Sequence, residues 1–194
     1  MRILRAADRI STPWKNGGGV TCEVAAFPAG ADLDDFAWRI SLAEVAADGP
    51  FSPFPGVDRV LTVIEGAGLM LEVDGRMLAL DAASPPLAFP GDVPVAARLT
   101  DGPIRDLNLM VRRGAWRARA RRFTVAGTAE VSARAQATLV LALDALRILR
   151  PGGGIDLAPM DAVLLDHGHS NLSLEGRGRT LIAEITIDPE HVPQ

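Results

Sequence analysis

Leu69-Met70-Leu71-Glu72-Val73-Asp74-Gly75-Arg76-Met77-Leu78-Ala79-Leu80 is the stretch that decides the fold class. Leu69, Leu71 and Val73 alternate with Met70, Glu72 and Asp74, the period-two pattern of a strand with one face in a core. Asp74-Gly75 then supplies a positive-φ turn that brings residues 77–80 back as the second strand of a hairpin. Upstream, Phe36, Trp38, Ile40 and Leu42 alternate with Ala37, Arg39, Ser41 and Ala43, so Arg39 and Ser41 face away from the apolar set. Further strands are expected at 20–27, 57–65, 93–99, 104–112, 138–143, 147–150, 162–166, 172–175 and 179–187. Fourteen prolines and nineteen glycines punctuate these short apolar runs. No stretch carries a helical period of useful length, and the chain reads as all-β, a sandwich or barrel.

A chain of 194 residues suffices for one large β domain or two small fused lobes. A 48% hydrophobic content excludes disorder, yet no apolar run approaches the roughly 20 residues of a membrane span. Met1-Arg2-Ile3-Leu4-Arg5 does not lead into an apolar signal segment, so a cytoplasmic location without a membrane partner is expected. The formal net charge of −4 argues against nucleic acid as a partner. Cys22, the single cysteine, excludes intramolecular disulfides and multi-thiolate metal sites. Its alternation with Val20 and Val24 reads as a buried small apolar residue rather than a nucleophile. Arginines cluster at 112, 113, 117, 119, 121 and 122, and Arg117, Arg119 and Arg121 share one face of a strand. That strand reads as a solvated or inter-lobe element, with a phosphate-binding stripe as the alternative.

A weak internal repeat accompanies this pattern. The order running from Leu80 through Phe89-Pro90-Gly91-Asp92 to Leu107-Asn108-Leu109-Met110 returns from Leu157 through Leu165-Asp166-His167-Gly168 to Ala183-Glu184-Ile185-Thr186. In each copy a strand, a tight polar turn, a second strand and a glycine-containing turn precede a long apolar strand. Two similar β lobes would produce it, with residues 112–122 at their join.

Four blocks carry a resemblance to a known family: Pro13-Trp14-Lys15-Asn16-Gly17-Gly18-Gly19-Val20-Thr21-Cys22-Glu23, Trp38-Arg39-Ile40-Ser41, Asp48-Gly49-Pro50-Phe51-Ser52-Pro53-Phe54-Pro55-Gly56-Val57-Asp58-Arg59 and Asp106-Leu107-Asn108-Leu109-Met110-Val111-Arg112-Arg113-Gly114. In this order they resemble the HutD/Ves family. The resemblance implies a bicupin, two jelly-roll-like cupin barrels in one chain. It places a first lobe with a ligand pocket at 1–114 and a second at 115–194, with strands exchanged between them. It also implies a role in bacterial histidine utilisation: binding a pathway metabolite and restraining operon output, with no enzymatic activity established.

The residues support a site in their own right. Gly17, Gly18 and Gly19 leave backbone N–H groups unshielded beside Lys15 and Asn16, the makings of an anion-binding concavity. Thr21 and Glu23 share one strand face, as do Arg39 and Ser41, and Asn108 and Met110. Arg59 follows a Pro/Gly-rich loop, where its fork is suited to grip a carboxylate. Together these suit a small acidic metabolite. The structural alternatives are a plain glycine hairpin, a cross-strand Arg39–Glu23 pair and a solvated Arg59.

Metal-binding cupins use a His-x-His pair, a glutamate and a third histidine. The first lobe has no histidine, so neither metal nor cofactor is expected there. His167-Gly168-His169 has the dipeptide spacing but falls in a polar loop, lacking the remaining ligands. No catalytic residue is assigned. A metal-free isomerase, epimerase or lyase using Lys15 or Glu23 for proton transfer is one competing reading, and a protein-interaction module is another. Sheet edges and apolar hairpin faces suit a homodimer.

Overall fold

The structure, a computed structural model, describes residues 1–15, 17–168 and 171–191. The first strands are β1 (Arg2–Leu4), β2 (Ser11–Pro13), β3 (Gly19–Phe27), β4 (Trp38–Val45), β5 (Gly49–Pro50) and β6 (Val57–Glu65). Next come β7 (Leu69–Val73), β8 (Arg76–Leu80), β9 (Leu87–Pro90), β10 (Val95–Leu99) and β11 (Ile104–Arg112). The last are β12 (Trp116–Val131), β13 (Ala137–Ala142), β14 (Leu146–Leu149), β15 (Ile155–Leu157), β16 (Ala162–Asp166) and β17 (Leu172–Ile187). Among the described residues helix is confined to two single 3-10 turns, Ala6–Asp8 and Pro189–His191. None of the described helices is long and apolar enough to cross a membrane.

The chain divides into two compact units. One comprises Ile10–Ala118 with the stretch from Asp188 onward; the other comprises Met1–Arg9 with Arg119–Ile187. The expected division at 114/115 therefore shifts by a few residues at the join, and the first nine residues belong with the later unit. β1 explains why: it pairs antiparallel with β16, Arg2 opposite Leu164 and Leu4 opposite Ala162. Arg5 Nη1 and the Ala6 N–H then both donate to the Asp161 carboxylate, at 2.7 and 2.8 Å.

In the unit built on Ile10–Ala118, a six-stranded sheet of order β2-β3-β4-β11-β6-β9 accompanies a four-stranded sheet of order β5-β10-β7-β8. The hairpin is as the alternation requires. β7 and β8 pair from Leu69–Leu80 to Val73–Arg76, and Asp74 and Gly75 turn at φ +48° and +76°. Both central residues are thus left-handed, which matches the turn to the strand twist. Leu69, Leu71, Val73 and Leu80 join Val45, Leu61, Val63, Phe89, Val95, Ala97 and Ile104 in one buried cluster.

The other unit is a single sheet, β1-β16-β13-β17-β14-β15, with β12 also paired to β17. Its core gathers Val140, Leu146, Ile148, Leu157, Val163, Leu165, Leu172, Leu174 and Ile182. Two sequence expectations need correction here. Residues 172–175 and 179–187 form one continuous strand, because Gly176 at φ +135° lets the backbone pass through without ending its pairing. The arginine strand is longer than the charge pattern suggested, running from Trp116 to Val131.

Candidate functional site

A cavity of about 980 Å³ lies within the Ile10–Ala118 unit. Its lining includes Lys15, Thr21, Glu23, Arg39, Ser41, Arg59, Asn108 and Met110, all read from the sequence as candidates, together with Trp14, Asp32, Phe51, Phe54 and Asp106. Gly17 and Gly18 are not part of the lining; Asn16 lies outside the described residues.

Sheet register brings the distant candidates together. Met110 sits opposite Arg39 on one side and Arg59 on the other, so these three form a cross-strand row. Asn108 lies between Ser41 and Leu61 in the next row, and Asp106 between Ala43 and Val63 in the one after. On β3, Thr21 pairs with Ala43 and Glu23 with Ser41, ahead of a bulge between Glu23 and Ala25. Neighbours within a row stand about 5 Å apart on the same face. The alternation of β4 thus has a meaning the sequence only half disclosed. The Ile40 and Leu42 face is buried, and the Arg39 and Ser41 face is the polar interior of the barrel.

The floor is a chain of polar groups held among aromatic rings. Arg59 is only 5% exposed, which excludes the solvated alternative. Its guanidinium lies 5.2, 5.5 and 5.2 Å from the ring centroids of Phe51, Phe54 and Phe89, within cation–π range. Arg59 Nη2 donates to Asn108 Oδ1 at 2.7 Å, and Asn108 Nδ2 donates to Asp106 Oδ1 at 2.7 Å. Arg59 Nε and Asp106 Oδ2 are buried with no hydrogen-bond partner. Burial pushes the Asp106 carboxyl up to about 7, against the opposing pull of Arg59 and the Asn108 hydrogen bond. The same burial brings Arg59 down to about 10, with Asp106 opposing, so it stays a cation at neutral pH. A titratable carboxyl and an arginine buried together in a cavity are the features by which functional sites stand out electrostatically.

The rim is tied more loosely. Arg39 Nε donates to Glu23 Oε2 at 3.0 Å and Arg39 Nη1 to Ser41 Oγ at 3.4 Å, so the cross-strand pair exists inside the lining. Trp14 Nε1 donates to Thr21 Oγ1 at 2.7 Å, fixing the indole against β3. Lys15 is exposed. The Gly17 N–H donates to the Trp14 carbonyl at 3.0 Å, closing a turn with Gly17 at φ +72°, so that N–H is engaged within the loop. Gly19 has a packing reason instead: a Cβ there would lie 2.2 Å from the Glu44 carbonyl oxygen.

Sequence reasoning passed over Asp106, Phe51, Phe54 and Phe89. The signal was present, since Asp106 begins the same alternation as Asn108 and Met110, an acid where an otherwise apolar strand turns its face inward. Cys22 is half-buried rather than buried. The arginine run is largely committed. Arg112 Nε donates to the Phe36 carbonyl, Arg113 bridges Asp58 and Asp92, Arg117 pairs with Asp188, and Arg119 with Glu184. Arg113 holds the Asp92 carboxyl down to about 2. His167 is exposed, and His169 lies outside the described residues. Among the described residues no group of three or more His, Cys, Asp or Glu is arranged to hold a metal ion.

Known proteins match this arrangement over nearly the whole chain. The HutD family model covers residues 6–182. An uncharacterised 21.2 kDa protein in the hutC 3′ region of Pseudomonas putida is 36% identical, over 95% of this chain and 97% of its own length. The structure of HutD from Pseudomonas fluorescens in a formate condition is 38% identical, with a TM-score of 0.82 over 96% of this chain and 98% of that one. A protein of unknown function from Pseudomonas aeruginosa is 37% identical, with a TM-score of 0.86 over 95% and 98%. A cupin 2 conserved barrel protein from Leptotrichia buccalis, 11% identical, has a TM-score of 0.57 over 92% of each chain and bears on the fold alone. The all-β fold is that of a bicupin, and the chain belongs to the HutD family.

Proposed function

We propose that this protein binds a small carboxylate of the histidine-degradation series, such as urocanate or N-formylglutamate, and modulates histidine utilisation without transforming the ligand. The observation that carries this reading is Arg59. It is a buried cation in a cavity, with one hydrogen bond to Asn108 and its buried Nε without a partner among the described residues. A buried guanidinium with a spare donor is costly unless something pairs with it, and a carboxylate matches its fork. Phe51 and Phe54 offer apolar walls for the body of such an acid, with Lys15 at the rim. The names of the Pseudomonas relatives supply the histidine-utilisation context.

Binding without turnover is favoured because the two groups considered for proton transfer are at the rim. Lys15 is exposed, and Glu23 is spent on Arg39. One observation favours a second reading: Asp106, titrating near neutral pH in the floor, has the character of a general acid or base. Isothermal titration of the purified protein with urocanate, N-formylglutamate, formate and histidine, alongside Lys15→Ala and Arg59→Ala, separates these. The proposal expects saturable binding of at least one carboxylate, weakened by Lys15→Ala and abolished by Arg59→Ala, with ligand recovered unchanged. Recovery of a transformed ligand would favour the metal-free cupin enzyme, and binding of none of the four would defeat the carboxylate reading.

A further inference from the structure

The charge inventory of the cavity poses a problem for any anion. Its lining carries three cations, Lys15, Arg39 and Arg59, and three carboxylates, Glu23, Asp32 and Asp106. With all six ionised the cavity is formally neutral. Arg39 is already matched by Glu23, while Lys15 and Asp32 are exposed and screened by water. The buried floor is left with Arg59 and Asp106, joined through the Asn108 amide. A carboxylate arriving at Arg59 would place a second negative charge beside Asp106 in a space walled by Phe51 and Phe54. Two carboxylates sharing one buried cation do not both stay ionised.

We propose that the site takes up its anion together with one proton, which settles on Asp106, so that Arg59 changes from an internal counter-charge to the partner of the ligand's carboxylate. Asp106 acts here as a positioning residue, through Asn108 and Arg59. The orphaned Asp106 Oδ2 is where the added proton has room, since Oδ1 is held by Asn108. The ligand class narrows accordingly to small acids that bring a single carboxylate to the floor. One proton compensates one carboxylate, and a second would have to reach the exposed rim. The raised carboxyl, near 7 before any ligand arrives, makes the proton available at neutral pH. The groups facing Asp106 across the cavity are Arg59 from β6, Arg39 from β4, Glu23 from β3, and Lys15 and Asp32 from the loops. Residues 10–118 contain no histidine to supply an alternative proton site in the neutral range.

This inference rests on the carboxylate-binding reading, and its test tells the two apart. Formate, a monoanion throughout the range, is titrated calorimetrically into the full chain at pH 6, 7 and 8. Two buffers of different ionisation heat are used at each pH, for wild type and Asp106→Asn. Wild type should bind about tenfold more weakly at pH 8 than at pH 6 and take up close to one proton at pH 8. Asp106→Asn should bind equally at both pH values without proton uptake. In parallel, carbon NMR of the wild-type aspartate carboxyls needs no variant. One carboxyl titrating near neutral pH should have its midpoint raised by about two units or more when formate saturates the site. Formate binding without proton uptake, an unmoved midpoint, or uptake that survives Asp106→Asn would overturn the proton linkage while leaving the carboxylate reading intact. No formate binding at any pH would remove both.

Discussion

Arg59 and Asp106 show what a single side chain is asked to do inside this barrel. Each is buried and ionisable, and each leaves one polar atom without a partner, a cost of about 1–3 kcal/mol per orphaned group. Asp106 has a signed consequence for stability. Its carboxyl is raised in the fold from an ordinary 3.8 to about 7, so between those values the folded protein binds more protons than the unfolded chain. Stability should therefore fall as pH rises through that window. Asp106→Asn removes the titration, so the variant should melt above wild type at pH 8, with the gap closing toward pH 4; thermal unfolding monitored by circular dichroism checks this. At this level the sequence was partly legible. Alternation placed Arg39, Ser41, Asn108 and Met110 on common faces, and all four line the cavity. It could not say that Arg59 is caged by Phe51, Phe54 and Phe89. Those rings come from a loop and from β9, and their approach depends on how the sheets fold over.

Among the strands, glycines separate turn chemistry from packing. Gly75 needs its positive φ but has open space around it, so Gly75→Ala should cost only about 1 kcal/mol of backbone strain. Gly19 is different: β3 runs against β4 there, and an added Cβ meets the Glu44 carbonyl oxygen. Gly19→Ala should cost more, about 2 kcal/mol or above, and should shift the start of β3 together with Trp14 and Thr21. Urea denaturation of the two variants, with amide NMR of β3, measures the contrast. The glycine run was conspicuous in the sequence as a possible anion loop, but its third member is fixed by a strand contact that only register reveals. The short strands β1, β2, β5 and β15 escaped notice for a related reason. Runs this short carry too few alternations to show a period, and their pairing partners decide them.

For the whole chain, two lobes were readable from the weak repeat and from the resemblance, but the seam was not. Met1–Arg9 joins the unit of Arg119–Ile187 through contacts more than 150 residues apart in sequence, beyond the reach of any local pattern. Asp161 is the clasp. It accepts from Arg5 Nη1 and from the Ala6 and Ala158 N–H groups. Asp161→Ala should lower the stability of that unit by about 2–3 kcal/mol and speed hydrogen exchange along β1 and β16. The carboxylate-binding reading has a more direct check in the Arg59 Nε–H resonance, followed by nitrogen NMR as urocanate and N-formylglutamate are added. If the cavity is a carboxylate site centred on Arg59, that resonance should move saturably with one of the two acids and more than any other arginine signal. An Arg59 resonance that stays fixed while only exposed arginines respond would contradict the reading.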